Sequence, residues 1–409
     1  MNTNYDVIII GAGILGCACA YYLTQNTEQK VLLVDRQLPA NGTTSQAAGL
    51  IGRAKSDGSI LDLVDETWQA IHTLQQLGET IDLHHCGSLH IGQNGPSKLK
   101  IQTCVTEAEK RKRQVELLSQ TEAADWLPWL KTQHNDLIAF FPEDGYVDPY
   151  QLALAFYRQA KKQGLLTNFS ADINKLLKDG NAIKGIETSD GSQFYADNVV
   201  LTGGPWTALL TQSLDFFPAM APIRSQYWMT DHHPQIPSDC PILILPDANA
   251  YLRPEIGGLL FGLRDRQRVH ASPKSLPNDI HSFQFSQDND GLQSLEDGYS
   301  PLQKQLPLFD QLNLANYMSG VSSYTPDGRF LIGETAEFNG LWLATGCCGG
   351  GVGSSAGFGR LISELIAGVP TFTAPTPFDP NRFAKDNIDP FNEQFRLSCA
   401  LAREGKTSG

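Results

Sequence analysis

Gly11-Ala12-Gly13-Ile14-Leu15-Gly16 stands between an apolar β-branched run, Val7 to Ile10, and a stretch of small and apolar residues from Cys17 to Leu23. The run before it reads as a strand buried on both faces. Each glycine then meets a separate need. Gly11 permits a tight turn, Gly13 lets a pyrophosphate approach the backbone, and Gly16 lets the following helix pack on the sheet. The start of that helix offers N–H groups and a positive dipole end to a phosphate. A second buried run, Lys30 to Val34, ends in Asp35, where an acid accepts hydrogen bonds from a ribose hydroxyl pair. Strand, glycine turn, helix, strand and terminal acid together predict a Rossmann-like βαβ unit that binds a dinucleotide.

The chain has 409 residues, enough for two to three domains of roughly 150 residues each. Its net charge of −13 has the wrong sign for a nucleic-acid or anionic-membrane partner. The eight cysteines are scattered without a CxxC pair, which argues against a structural zinc site and for reduced thiols in a cytoplasmic protein. No metal is expected. The N-terminus lacks a basic region, and the glycines interrupt its apolar run, so it reads as strand, turn and helix rather than a signal peptide. No unbroken apolar run of about 18 residues occurs, so no transmembrane span is expected.

The segment after Asp35 separates FAD from NAD. Arg36 to Gly42 forms a short loop, and Thr43-Thr44-Ser45-Gln46-Ala47-Ala48-Gly49-Leu50-Ile51 follows. Hydroxyls and small residues here suit a chain that runs along a pyrophosphate and close to a flat ring, whereas an NAD domain normally continues into another helix. The stretch resembles the G-[ST]-[ST]-S-x-x-A-G segment of the D-amino-acid oxidase (DAO) superfamily of FAD enzymes, which includes glycine oxidase, sarcosine oxidase and dimethylglycine dehydrogenase. Further similarities follow in the family's order. Gly87 to Ile91 resembles its first strand over the flavin. Phe141 to Pro149 is a turn-rich step into an amphipathic helix from Tyr150 to about Gln163. Asn198 to Trp206 resembles its A-[AT]-G-x-W element, and Tyr324 to Gly333 its T-P-D-x-x-P-x-I-G element. Cys347 to Gly353 is a second glycine-rich loop before a helix, whose N–H groups would face the flavin where reduction places negative charge.

The resemblance covers roughly residues 5–383 and implies an α/β (α+β overall) fold: a Rossmann-like FAD-binding domain of the glutathione-reductase type with an antiparallel β-sheet substrate domain. The expected division is 1–80, 145–220 and 319–384 for FAD, 81–144 and 221–318 for the substrate roof, and a polar tail at 385–409. Candidate cofactor residues are Gly11, Gly13, Ile14, Leu15, Gly16, Asp35, Arg36, Thr43, Thr44, Ser45, Ala48, Gly49, Leu50, Ile173 (beside the adenine), Thr202, Gly203, Gly204, Trp206, Asp327, Gly349, Gly350, Gly351 and Val352.

Departures from the family pattern narrow the chemistry. The positions that carry a flavin-linked His or Cys in some members are Gln46 and Gly320 here, which implies non-covalent FAD. The carboxylate-binding Arg of glycine-oxidase-like members is missing from Gly320-Val321-Ser322-Ser323, so a substrate carboxylate needs another cation, since an unpaired buried charge is costly. Arg53 and Arg253 are the candidates, with Tyr251 and Tyr324 as further substrate contacts. A frequent family His is Gly350, and Cys347 and Cys348 read as packing residues rather than a redox pair. His84, His85 and His90 read as structural. The resemblance implies oxidation of the C–N bond of a small amine, an amino acid or N-methylated amino acid, by hydride transfer to the flavin, with O₂ or a carrier protein as final acceptor. The alternatives are oxidation of a 2-hydroxy acid and a non-catalytic FAD-binding partner protein.

Overall fold

The computed structural model describes residues 4–26, 28–288 and 290–404. Strand β1 (Val7–Ile10), helix α1 (Ile14–Leu23) and strand β2 (Val31–Asp35) form the expected βαβ unit. Every residue of β1 is buried, as its unbroken apolar run requires. These strands lie in the middle of a six-stranded sheet, in the order 331–334, 341–345, 198–201, β1, β2, 166–169. The pairs are parallel from 341–345 through to 166–169, and only the edge strand Leu331–Glu334 runs antiparallel.

Helices Pro149–Lys162 and Ser355–Ala367 pack on α1. The contact with the second helix is set by Gly359, where an added Cβ would lie 2.5 Å from the Ala18 carbonyl oxygen. The approach is therefore backbone to backbone, and the residues on the α1 side are small for the same reason.

The second layer is an eight-stranded sheet, ordered 314–324, 221–230, 258–263, 250–255, 242–245, 88–92, 137–141, 116–118. It departs from the expected antiparallel sheet at one place. Ile242–Leu245 runs parallel to Ser88–Gly92, with Ile242 opposite Ser88. This pair is the seam between two stretches distant in the chain. No hairpin joins them, so nothing imposes the antiparallel sense found elsewhere in the sheet. The strand Leu314–Tyr324 also runs through the expected boundary at residue 319, because it pairs with Ala221–Thr230 along nearly its whole length. A small sheet of Leu50–Ile51, Gly145–Val147 and Leu83–His84 lies between the two large ones in the chain path.

The expected polar tail is instead partly a docked helix, Glu393–Glu404. Cys399 and Ala400 are buried, and the helix packs on the strand Ala221–Thr230. Arg403 Nη1 pairs with Asp265 Oδ2 at 2.7 Å. Asp265 in turn pairs with the fully buried Arg224 at 2.6 Å, and Arg224 reaches Asp288 Oδ2 at 2.9 Å. Cys399, Ala400 and Arg403 turn to the protein while Leu401 on the other side is exposed, an amphipathic pattern hidden by the polarity of the segment as a whole. Among the described residues no helix is long and apolar enough to cross a membrane.

Removing one member of this buried ion network leaves the opposing charges uncompensated. Arg224→Ala is expected to lower the thermal unfolding midpoint, through a destabilisation of about 3–5 kcal/mol. An unchanged midpoint by calorimetry would contradict this account of how the C-terminal helix is held.

Candidate functional site

A cleft enclosing ≈ 2000 Å³ of empty space, its open mouth included, runs from the first glycine turn to the underside of the eight-stranded sheet. Its narrow end is built from backbone. Gly11 has φ +111°, and a Cβ there would lie 2.6 Å from the Thr202 carbonyl oxygen. At Gly16 a Cβ would lie 1.8 Å from the Gly11 oxygen, so helix α1 could not sit against the turn with any other residue. Gly13 caps α1 without a side-chain hydrogen bond, and no acid lies in the first turn, so the positive end of the helix is not neutralised from within. Ile14 N–H donates to Thr44 Oγ1 at 3.0 Å, which ties the 43–46 turn to the start of α1.

Gly13, Ile14, Leu15, Thr43, Thr44, Ala48, Gly49, Leu50, Thr202, Gly204, Gly349, Gly350, Gly351 and Val352 all line the cleft. Others of the sequence-derived set stand behind it. Asp35 accepts N–H bonds from Ala12 (2.6 Å) and Gln37 (2.8 Å), and burial raises its carboxyl pKa. Arg36 lies over the Trp206 ring at 4.6 Å and donates to Asn278, while Trp206 Nε1 donates to the Pro277 carbonyl. Ser45 bonds back to the Gly42 carbonyl, and Gly203 packs against Leu210 and Thr207. Ile173 opens the strand 173–179, close to the point where Ala171 N–H donates to the Asp35 carbonyl.

The second glycine loop closes the opposite wall. Cys348 N–H donates to the Ser323 carbonyl and Gly349 N–H to Ser322 Oγ. A Cβ on Gly353 would lie 3.2 Å from the Leu50 oxygen, so this loop lies against the Ala48–Leu50 segment. The helix beyond it starts only at Ser355, after a run of turn. Between the two walls, Gln46 Oε1 is buried with no hydrogen-bond partner among the described residues. A helix start with no acid in its first turn, an unmatched polar atom and glycine walls that a Cβ would crowd all fit a long cofactor with a pyrophosphate and a flat ring. Gln46 and Gly320 are neighbours here, 3.6 Å from the Gln46 Cβ to a Cβ built on Gly320, and neither offers a nucleophile to a flavin.

The wider end lies under the eight-stranded sheet. Tyr251 lines it, and its ring crosses the opposite Gly262, where a Cβ would come within 2.1 Å. Tyr227, Ser225, Ile242 and Ile244 complete this roof. Burial raises the pKa of both tyrosine hydroxyls, so they are neutral hydrogen-bond partners. Ser88 Oγ donates to Asp144 Oδ2 and lies 2.9 Å from His90 Nε2, while Asp144 Oδ1 accepts the Arg53 N–H. Burial, followed by the charges of Lys55 and Lys100, pushes His90 down to about 3. It lines the cleft as a neutral imidazole.

Four expectations are corrected. The Arg53 side chain is held by Asp65 (3.0 Å) and Glu143 (3.2 Å) and lies over the Trp68 ring, outside the cleft. Arg253 is tied to the Ala48 carbonyl, the Pro254 carbonyl and Glu255, and lies over the Tyr146 ring. Both arginines therefore brace the walls, since each has carboxylate or carbonyl partners that desolvation makes costly to abandon. Tyr324 is fully buried in the main core rather than on the cleft surface. Asp327 pairs with Arg382 at 2.8 Å and accepts N–H and O–H bonds within its own turn, away from the cleft.

The sequence reading missed Lys55, Lys100, Ser88, Asp144 and Tyr227 and set His90 aside, yet all six line the cleft. The i, i+2 spacing of Ser88 and His90 on one strand face was the available signal. Nothing local marks Asp144, which reaches Ser88 only through the fold. Among the described residues all eight cysteines are free thiols.

The DAO family model, described as FAD dependent oxidoreductase, matches residues 6–365. Mitochondrial dimethylglycine dehydrogenase from Mus musculus is 24% identical over 400 residues, covering 95% of this chain and 45% of its own. Glycine oxidase from Bacillus subtilis (strain 168) is 24% identical over 375 residues, covering 90% of this chain and 94% of its own. The crystal structure of L-proline dehydrogenase from P. horikoshii has the same fold, with a TM-score of 0.80 at 20% identity, covering 95% of this chain and 100% of its own. The chain thus spans under half the length of the dimethylglycine dehydrogenase it matches and nearly all of the glycine oxidase. With a family model matching most of its length and a cleft whose narrow end fits FAD, this chain belongs to the DAO family of FAD-dependent oxidoreductases.

Proposed function

We propose that this chain oxidises the C–N bond of a small amine, an amino acid or N-methylated amino acid, with non-covalently held FAD as the electron acceptor. One observation carries this reading: the glycine cradle and the tyrosine-roofed space are two ends of one cleft, so cofactor and substrate share a wall-to-wall volume. Gly13 to Leu15 and Thr44 would hold the pyrophosphate, and Ala48 to Leu50 with Gly349 to Val352 the ring. Bound FAD supplies the hydride acceptor for the C–H bond next to nitrogen, leaving an imine that water hydrolyses.

The chain's own residues orient the amine and keep it deprotonated. The apolar wall of Ile242 and Ile244 disfavours an ammonium, which lowers the amine's pKa. Tyr251 and Tyr227, held neutral, offer hydroxyls for orientation. The neutral His90, linked through Ser88 to Asp144, offers a ring nitrogen as a hydrogen-bond partner that orients the amine. No strong side-chain base is needed, because the electron pair on nitrogen drives the hydride out.

Anaerobic bleaching of the flavin band against D- and L-amino acids, N-methyl amino acids and 2-hydroxy acids tests this. Bleaching by one amine class is expected. Bleaching by 2-hydroxy acids alone would move the chemistry to C–O oxidation, and yellow protein reduced by none would favour the FAD-binding partner. Acid precipitation should leave the colour in the supernatant, whereas colour kept in the pellet would contradict non-covalent binding. The His90 ring should show no protonation by NMR between about pH 5 and 8. A titration near the ordinary histidine value would remove it from the role of neutral hydrogen-bond partner.

A further inference from the structure

We propose that Lys55 and Lys100 form an anion-binding end of the cleft that takes a carboxylate of the substrate, in place of the arginine that Ser322 replaces. This deepens the amine-oxidation reading and rests on it for the identity of the ligand as substrate.

The argument begins with charge inventory. Among the described residues lining the cleft, the only Lys or Arg side chains are Lys55 and Lys100. They come from separate elements brought together by packing. Lys55 follows the Leu50–Ile51 strand, and Lys100 projects from helix α3 (Gly95–Lys110), which follows helix α2 (Gly58–Gln76) in the chain. Cys104, one turn beyond Lys100, has its Sγ 3.6 Å from the Ala54 carbonyl oxygen, which docks this face of α3 on the segment that carries Lys55. Both lysines are half-buried.

The acids on the same walls are already engaged. Asp144 has both oxygens occupied, by the Arg53 N–H and the Ser88 hydroxyl. Asp57 pairs with Arg329 at 2.8 Å and caps helix α2. Among the described residues Lys55 closes no ion pair within 4.0 Å. His90, which lines the same cleft, is neutral. Two lysines from separate elements thus share a partly desolvated wall of the cleft, where a carboxylate would accept charge-assisted hydrogen bonds. Burial, then Arg264 and Lys55, already press Lys100 down to about 8, a repulsion that a bound anion would relieve.

The test is an optical titration of the holoenzyme with glutarate and with its uncharged diamide, glutaramide, following the flavin band. Wild type should respond to glutarate and not to glutaramide. Lys55→Met and Lys100→Met should each weaken glutarate binding by at least about tenfold, with flavin content and thermal midpoint unchanged, and Lys55→Arg should restore most of it. A wild type that ignores glutarate, or methionine variants that bind it as wild type does, would overturn the proposal. Should a variant lose flavin, the arginine variant and ionic-strength dependence of wild-type binding decide instead: salt-insensitive binding overturns it. The two readings fail separately. Amine bleaching with lysine-independent KM sinks this inference alone, whereas lysine-dependent glutarate binding without bleaching by any amine sinks the oxidation reading alone.

Discussion

The whole site depends on a backbone contact that has no room for a side chain. The Gly11 carbonyl, Gly16 and the Thr202 backbone meet at distances that a Cβ would violate, and the Thr202 hydroxyl lies 2.7 Å from the Gly11 oxygen. Because these atoms touch, β1, the strand 198–201 and the start of α1 converge on one point. Asp35 locks the same point from the other side by accepting the Ala12 N–H. An acid expected to meet a ribose thus also holds the turn together. The two roles are compatible, since a carboxylate has more lone pairs than the two N–H bonds use.

From that point outward the cleft changes character. Its narrow end is backbone and hydroxyl, suited to phosphate, and its wide end is aromatic, aliphatic and cationic. The change follows from which sheet supplies the wall. The parallel sheet ends in loops and helix starts, where free N–H groups gather. The eight-stranded sheet offers a broad face of alternating side chains, from which Tyr227, Tyr251, Ser88 and His90 reach down. The parallel seam between Ile242–Leu245 and Ser88–Gly92 matters here, because it sets the isoleucines beside the Ser88–His90 pair.

The arginines show how a plausible sequence choice fails. A buried carboxylate needs a cation, and Arg53 and Arg253 both lie near the site in sequence. Each is matched by partners of its own: Asp65 and Glu143 for Arg53, and Glu255, two residues along, with the Ala48 carbonyl for Arg253. Position along the chain places a residue near a site but does not say whether its charge is already spent. The lysines that do line the cleft gave no local signal, since one sits in a loop and the other on a helix of mixed polarity.

Local patterns were enough for the features governed by local sterics. The glycine turns, the buried strands and the hydroxyl-rich 43–46 segment were legible because backbone geometry and two-sided burial restrict residue type at each position. The docked C-terminal helix was not, because it stands in a segment that is polar as a whole and its partner, the strand 221–230, lies far away in the chain. The sequence by itself determined the cofactor cradle and the family. Tertiary structure decided the end of the cleft under the eight-stranded sheet: which cations face it, which acids are neutralised, and how Ser88, His90 and Asp144 join. Those outcomes depend on pairings between residues far apart in sequence, and charge balance in a buried space is a property of the assembled walls.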